Sequence, residues 1–505
     1  MGVAGIKSGG LRGRPYSAGG GFTLELTPKQ LTKVLSKPDV LALTFGTMVG
    51  WGWIILSASW ITKAGVLGAI SAFLICACLC IFVGLAFAEL TAALPLAGGV
   101  MVFTYRGLGY PFAWVSAWTI IFAYVGVAAW EGIAISTAIS YILPIPQLGY
   151  LWTIAGYDVY LSWSLPGMVI VLVMVFFNLR GMKHSVIFQI VTIFCMVMIG
   201  LSFLFGGVVL GDTNNVVPVW TDFNGWLAVL MMTPSMFIGF DVISAFAEEI
   251  RFPLKMIGKL VITSILLVVL WYTLMIIAIA LSAAPEIREQ SNVAAADLIS
   301  HAFSSPYAGK ILILGGLFGI LTTWNGFVLA ATRTIFAMGR AKLLPPIFGK
   351  LQKKRQVPVV PFVLIGGISC LAPLLGMNAL QWFVNASSFA TVLAYFFVSF
   401  SFLVLRKKEP ELVRPFKVPG GNLVGYAAVI VSLLFIFLFA PWLNAGIQMR
   451  EEWLLIGIWG IMGVLLMTYS LHLYGRIGLS EREHLIYTEK YARTFTDSGV
   501  QKTGE

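Results

Sequence analysis

The chain has 505 residues, of which 59% are hydrophobic and 11% charged, with a mean hydropathy of +0.90. A soluble domain carries about 25% charged residues, so the composition excludes a soluble enzyme or binding module and describes a polytopic membrane protein. The net charge of +11 suggests a nucleic-acid partner, but its placement along the chain speaks against one. The cysteines add little: Cys76, Cys78 and Cys80 lie in one apolar run and Cys195 and Cys370 in others, without metal or disulfide spacing.

Residues 1–37 form a polar, basic arm with no apolar stretch ahead of a cleavage site, so no cleaved signal peptide is expected. Ile6 stands where a myristoylation motif needs Ser or Thr. Twelve apolar segments follow, near 40–62, 67–93, 111–143, 161–178, 185–210, 226–247, 259–284, 310–337, 359–376, 379–405, 423–443 and 452–474. Each is long enough to cross a hydrocarbon core that takes about 20 helical residues. Residues 475–505 form a polar tail.

The first segment contains Gly46-Thr-Met-Val-Gly50-Trp-Gly52-Trp53. Glycine costs about 1 kcal/mol against alanine inside a helix. Such a cluster either lets another helix approach, as the Gly46-x-x-x-Gly50 spacing allows, or lets the helix unwind around a ligand. The sixth segment has a second interruption, Phe237-Ile238-Gly239-Phe240-Asp241. Similar breaks five segments apart are what an inverted five-plus-five repeat shows, and they point to a midplane binding site. That favours the ligand reading. Repeat one spans about 38–210 and repeat two about 226–405, with two further helices at about 423–474.

With the N-terminus inside, 29 of the 33 Lys and Arg residues fall on the inner side, and only Lys63, Arg288, Lys310 and Arg450 outside. This positive-inside bias places both termini in the cytoplasm. The basic charge is a topology signal, and no nucleic acid is expected.

Only Glu131 and Asp241 carry acid well inside apolar segments; Glu89, Glu248 and Glu249 lie near cytoplasmic ends. A carboxylate in hydrocarbon costs several kcal/mol unless it is paired, hydrated or protonated. Asp241 therefore reads as a substrate-amine or proton-coupling group, or equally as the N-cap of the second half-helix. Glu131 reads as a coupling group facing the cavity or as a strut to a neighbouring helix. Trp51, Trp53, Trp130 and Phe240 are candidate cavity walls or gates.

Several motifs in order along the chain carry a family resemblance: Glu89-Leu90 with Pro95, Ala97-Gly98-Gly99, Tyr105-Arg106 and Leu108-Gly109; Asn178-Leu179-Arg180-Gly181; Phe237 to Asp241 with Glu248-Glu249 and Pro253; Arg333 to Arg340 with Leu344-Pro345; and Arg414-Pro415-Phe416-Lys417-Val418-Pro419-Gly420-Gly421. Together they resemble the amino acid–polyamine–organocation (APC) superfamily from about residue 40 to 470. The resemblance implies an all-α membrane protein of twelve transmembrane helices. It also implies a leucine-transporter-type inverted repeat, broken helices 1 and 6, and alternating access. It assigns the substrate carboxylate to backbone amides across Thr47, Met48, Val49, Gly50, Trp51 and Gly52, and the substrate amine to carbonyls of Phe237, Ile238 and Phe240. Trp51 departs from the small residue usual at its position. The fifth segment also lacks the lysine of many proton-coupled members, with Cys195 and Met196 near that place. In sodium-coupled relatives, a small residue and two hydroxyls in helix eight hold the ion with two helix-one carbonyls; here these are Gly319, Thr322, Thr323, Gly46 and Val49.

The expected function is secondary transport of amino acids across the cell membrane by proton symport or exchange, with no cofactor beyond a coupling H+ or Na+. Transport of an amine or other organocation and sodium symport are the alternatives, and a transport-inactive receptor a remote one. A membrane-embedded enzyme is disfavoured, because His184, His301, His472 and His484 all lie at loops or segment ends. The expected partners are the lipid bilayer and a small-molecule substrate.

Overall fold

The computed structural model describes residues 31–487 apart from 283–284, 286–295, 297–299, 301–304, 353–354, 444–445 and 476. Most of the N-terminal arm, the tail beyond Tyr487, Arg288 and His301 lie outside the described residues. Nine helical stretches among the described residues are long and apolar enough to cross a membrane, and two shorter apolar ones cover Val359–Leu375 and Asn422–Leu438.

The first crossing is made of three pieces: α1 (Lys37–Met48), α2 (Gly52–Ile55) and α3 (Ser57–Ala64). The Asp39 carboxylate starts α1 by accepting the Ser36 backbone N–H at 2.8 Å and the Ser36 hydroxyl at 2.6 Å. Unbroken helices follow: α4 (Val66–Ala93), the short α5 (Val100–Leu108) and α6 (Tyr110–Ile142). A hairpin of β1 (Tyr150–Ile154) and β2 (Tyr157–Tyr160) then leads into α7 (Leu161–Asn178) and α8 (Met182–Leu210). The hairpin was not expected from the sequence. Its two turn residues, Ala155 and Gly156, sit at φ +47° and +77°, the primed-turn geometry that matches strand twist. Trp152 Nε1 donates to Leu374 O at 2.8 Å, and Asn378 Nδ2 to Ala155 O at 3.0 Å, pinning the hairpin to the rim.

The sixth segment is broken as expected. Helix α9 (Phe223–Met232) tightens into a 3-10 turn over Thr233–Phe237, unwinds, and resumes as α10 (Val242–Ala245). Then come α11 (Ile257–Ser282), α12 (Pro306–Arg340), α13 (Val359–Leu371), α14 (Ala379–Lys408), α15 (Asn422–Leu438), α16 (Arg450–Tyr474) and α17 (Leu479–Ile486). Helix α6 packs against both α12 and α14, and the broken first crossing is flanked along α1 by α8, α11 and α12.

The face from which α1 departs is closed by buried ion pairs. Glu89 accepts from Arg406, from Arg414 at 3.0 Å and from the Val418 backbone N–H at 2.7 Å. Glu249 pairs with Arg333 at 2.9 Å. Glu248 takes Arg340 in a fork at 3.0 and 2.9 Å, plus the Leu31 and Ala97 backbone N–H groups at 2.7 and 3.0 Å. Leu35 bridges Ile250 alongside. Helix α17 covers the same face: the Tyr487 hydroxyl donates to Val102 O at 3.1 Å, and the Arg106 guanidinium lies 5.1 Å over the Tyr487 ring.

Burial pushes the Glu248 carboxyl up, but Arg340 and the two amides outweigh it and hold the group below the usual glutamate range. A folded-state value below the unfolded one stabilises the fold above the ordinary glutamate pKa, and that contribution is lost as pH falls through the lowered value. Glu248→Ala strands a buried guanidinium, so it should cost about 3 kcal/mol. Arg340→Ala should cost a similar amount, and the double variant clearly less than the sum. Thermal unfolding in detergent measures this, and additive losses would show that the two groups are not coupled.

Candidate functional site

The two interruptions meet. Gly239 has φ +131°, a conformation that side chains rarely adopt. A Cβ there would lie 3.0 Å from Met48 Cγ and 3.1 Å from both Met48 N and Thr47 C. The break after α9 thus rests on the end of α1, and only glycine allows the contact.

The first break is backed by α6 and α12. A Cβ on Gly50 would come 3.0 Å from Thr323 Oγ1 and 3.2 Å from Glu131 Oε1. Glu131 is fully buried, and neither carboxyl oxygen has a hydrogen-bond partner among the described residues. Such a group is stable there only as a neutral acid or beside a cation. It is a polar group without a partner among the described residues, set against the unwound backbone.

Asp241 has a different role. Its Oδ1 accepts from the Tyr395 hydroxyl at 2.7 Å and from the Gly239 backbone N–H at 3.1 Å, and its Oδ2 accepts from the Tyr124 hydroxyl. It does not cap α10 with its side chain. The carboxylate ties the second break to α6 and α14.

A cavity of about 140 Å³ lies against the breaks. Of the residues expected at the substrate, Thr47, Met48, Gly50, Trp51, Gly52 and Ile238 line it. Val49, Phe237 and Phe240 do not; they are fully buried, with Phe237 tilted against Phe73 and Phe240 against Phe87 and Tyr395. Trp51 and Trp130 reach the lining, while Trp53 packs edge-on against Trp271 at 5.4 Å. Trp51 fits because α12 offers Gly316, where a Cβ would lie 2.7 Å from its ring. Tyr272, Phe327, Met236, Gln381, Val384 and Ser387 are among the remaining wall residues and were not foreseen.

Around the expected ion position, the Thr323 hydroxyl donates to Gly46 O at 3.3 Å, whereas the Thr322 hydroxyl turns back to Gly319 O at 2.8 Å. A Cβ on Gly319 would sit 2.6 Å from Gly50 O and 3.3 Å from the Met196 sulfur. A second polar group stands nearby: Gln189 Oε1 accepts from Asn325 at 2.7 Å, and its Nε2 lies beside Gly46 with no partner among the described residues.

The cavity opens away from the ion-paired face. A vestibule of about 590 Å³ on the Lys63 side shares Leu56, Ser235, Met236, Gln381, Val384 and Ser388 with it.

The family model described as amino acid permease matches residues 35–466. The chain belongs to the amino acid permease family. This permease is 28% identical to the branched-chain amino acid permease BcaP of Bacillus subtilis, over 85% of this chain and 92% of that protein. It is 26% identical to the methylthioribose transporter of Bacillus subtilis, over 81% of this chain and 89% of that one. It is 27% identical to cationic amino acid transporter 4 of Mus musculus, over 74% of this chain and 60% of that one.

Even a Cβ at position 50 presses tightly on Thr323 and Glu131 and a branched side chain exceeds that space, so Gly50→Leu should lose substrate binding in the permease while expression and helix content persist. Binding by detergent-solubilised protein checks this; parental affinity in the variant would separate the break from the site.

Proposed function

We propose that this permease is a secondary transporter of neutral amino acids with apolar side chains, working by alternating access with proton symport. The observation that carries the reading is the cavity at the two breaks, whose lining contains no charged side chain among the described residues. Its walls of Trp130, Tyr272, Phe327, Val127 and Val384 suit an aliphatic side chain. A cationic side chain would lack a counter-charge there, which favours a substrate like that named for the Bacillus subtilis branched-chain permease. The substrate carboxylate would bind the unwound segment at Gly50–Gly52, and its amine the backbone at Ile238.

Glu131 then supplies the coupling. A substrate carboxylate at Gly50 would stand beside the Glu131 carboxyl group, whose Oε1 lies 3.2 Å from a Cβ built on Gly50. Two negative charges so close in a low-dielectric interior repel by several kcal/mol, so the zwitterion binds only while Glu131 holds its proton, and substrate and proton cross together. Asp241, already held by two tyrosines and an amide, positions the break instead.

Nine long apolar stretches, two shorter ones and the interrupted α1–α3 crossing support twelve spans with a five-plus-five inverted repeat. The Lys and Arg distribution supports cytoplasmic termini in a cell membrane. With that orientation, the vestibule faces outward and the ion pairs seal the inner side.

Counterflow into proteoliposomes should carry labelled leucine but not lysine or methylthioribose. Lysine uptake that excludes leucine would overturn the substrate class, and binding without flux would mark a receptor. Glu131→Gln should flatten the pH dependence of uptake while exchange persists; a parental profile would remove Glu131 from coupling. Uptake should be equal in sodium and choline buffers, since the Thr322 hydroxyl is engaged by its own helix. A sodium requirement abolished by Thr323→Ala would replace proton symport with sodium symport.

A further inference from the structure

The vestibule contains a polar relay that the central site leaves unused. Gln381 and Asn385 stand one turn apart at the start of α14, and Glu452 sits in the first turn of α16. Glu452 is fully buried. Its Oε2 accepts the Gln448 and Met449 backbone N–H groups at 2.9 and 3.0 Å, and its Oε1 accepts Asn385 Nδ2 at 2.6 Å. A carboxylate accepts and does not donate, so the Asn385 amide can turn only its NH2 toward it. Asn385 Oδ1 is then left facing Gln381, whose Nε2 donates to it at 2.9 Å. That bond orients the exposed Gln381 amide in turn. Its Oε1 is the end of the relay and has no partner among the described residues.

Gln381 lines both the vestibule and the central cavity, so this oriented acceptor stands at the neck between them. Lys63 is the one charged side chain lining the vestibule among the described residues, and it has no ion pair there. A cation on the wall and an oriented acceptor at the neck complement a molecule with a carboxylate and an ammonium group.

We propose that the neck of the vestibule is an outer amino acid site, in which Gln381 Oε1 accepts from the substrate ammonium while Lys63 attracts the carboxylate, before the substrate passes to the helix breaks. Glu452 and Asn385 are positioning residues: the buried carboxylate sets which end of each amide faces the passage. The proposal rests on the amino acid reading above.

The test inverts the relay without changing its size. In Glu452→Gln the new side-chain oxygen still takes the two backbone N–H groups, so its NH2 turns to Asn385. Asn385 and Gln381 then flip, and Gln381 presents a donor to the passage. Initial rates of leucine uptake, with 2-hydroxy-4-methylpentanoate as the competitor lacking an ammonium group, read the outcome. The KM for leucine should rise about tenfold, or about 1.4 kcal/mol, with kcat little changed and the preference over the hydroxy acid reduced by a similar factor. Gln381→Leu should raise the KM and reduce the preference likewise. Adding Gln381→Glu to Glu452→Gln restores an acceptor that the flipped Asn385 can support, and should recover the parental KM. Parental KM and preference in both single variants, or no recovery in the double variant, would overturn the outer site alone. A parent that takes the hydroxy acid as readily as leucine would overturn the amino acid reading together with it.

Discussion

A peptide group in hydrocarbon has to be paired inside the protein, yet this chain leaves the helix twice within its crossings. The permease meets that constraint by laying one break on the other. Gly239 removes the side chain that would hold them apart, so that its backbone touches Thr47 and Met48. Asp241 collects the loose Gly239 amide together with two tyrosine hydroxyls from different helices. The cavity is the space these two interruptions shelter, and the flanking helices α6, α12 and α14 follow from the need to enclose it. Small residues at the contacts, such as Gly316 opposite Trp51, allow bulky walls without lost packing.

The acids divide by neighbourhood. Glu89, Glu248 and Glu249 each face one or two arginines on the face where α1 begins, and they bind helices distant in sequence to one another. Glu452 serves as an acceptor near the opposite rim. Glu131 has no such partner, and it stands against the Gly50 backbone. The same side chain is thus a staple where counter-charges are built in, and among the described residues a buried acid without a partner where none is. The asymmetry between a cross-braced face and an open one also limits which way the cavity can drain in this conformation.

Both breaks were legible because glycines and an aspartate are costly in an apolar run, and their spacing by five segments had a topological meaning. Which residues of each break face the cavity was not legible. An unwound segment has no period from which to read orientation, and Val49, Phe237 and Phe240 turn into the packing while Ile238 does not. Tyr124 and Tyr395 were missed because a tyrosine in an apolar segment reads as interfacial; only their convergence on Asp241 distinguishes them. Trp53 looked like a gate for the same reason Trp51 did, yet its neighbour Trp271 makes it part of the core. Gln381 lies at a helix start, where polar residues are ordinary. The hairpin had a local signal in alternating Tyr, Trp and Ile residues around Ala155-Gly156, hidden by the surrounding hydrophobicity.

The seat of α17 bears on how the molecule is assembled. Tyr487 closes onto Val102 across 385 positions of sequence, so the underside of α5 is synthesised long before its cover exists. During translation the early helices enter the bilayer with that patch bare, and they have to associate without it. Helix α17 is a late-arriving cap on the body formed before it, and the surface around Val102 and Tyr105 stays uncovered until that cap is made.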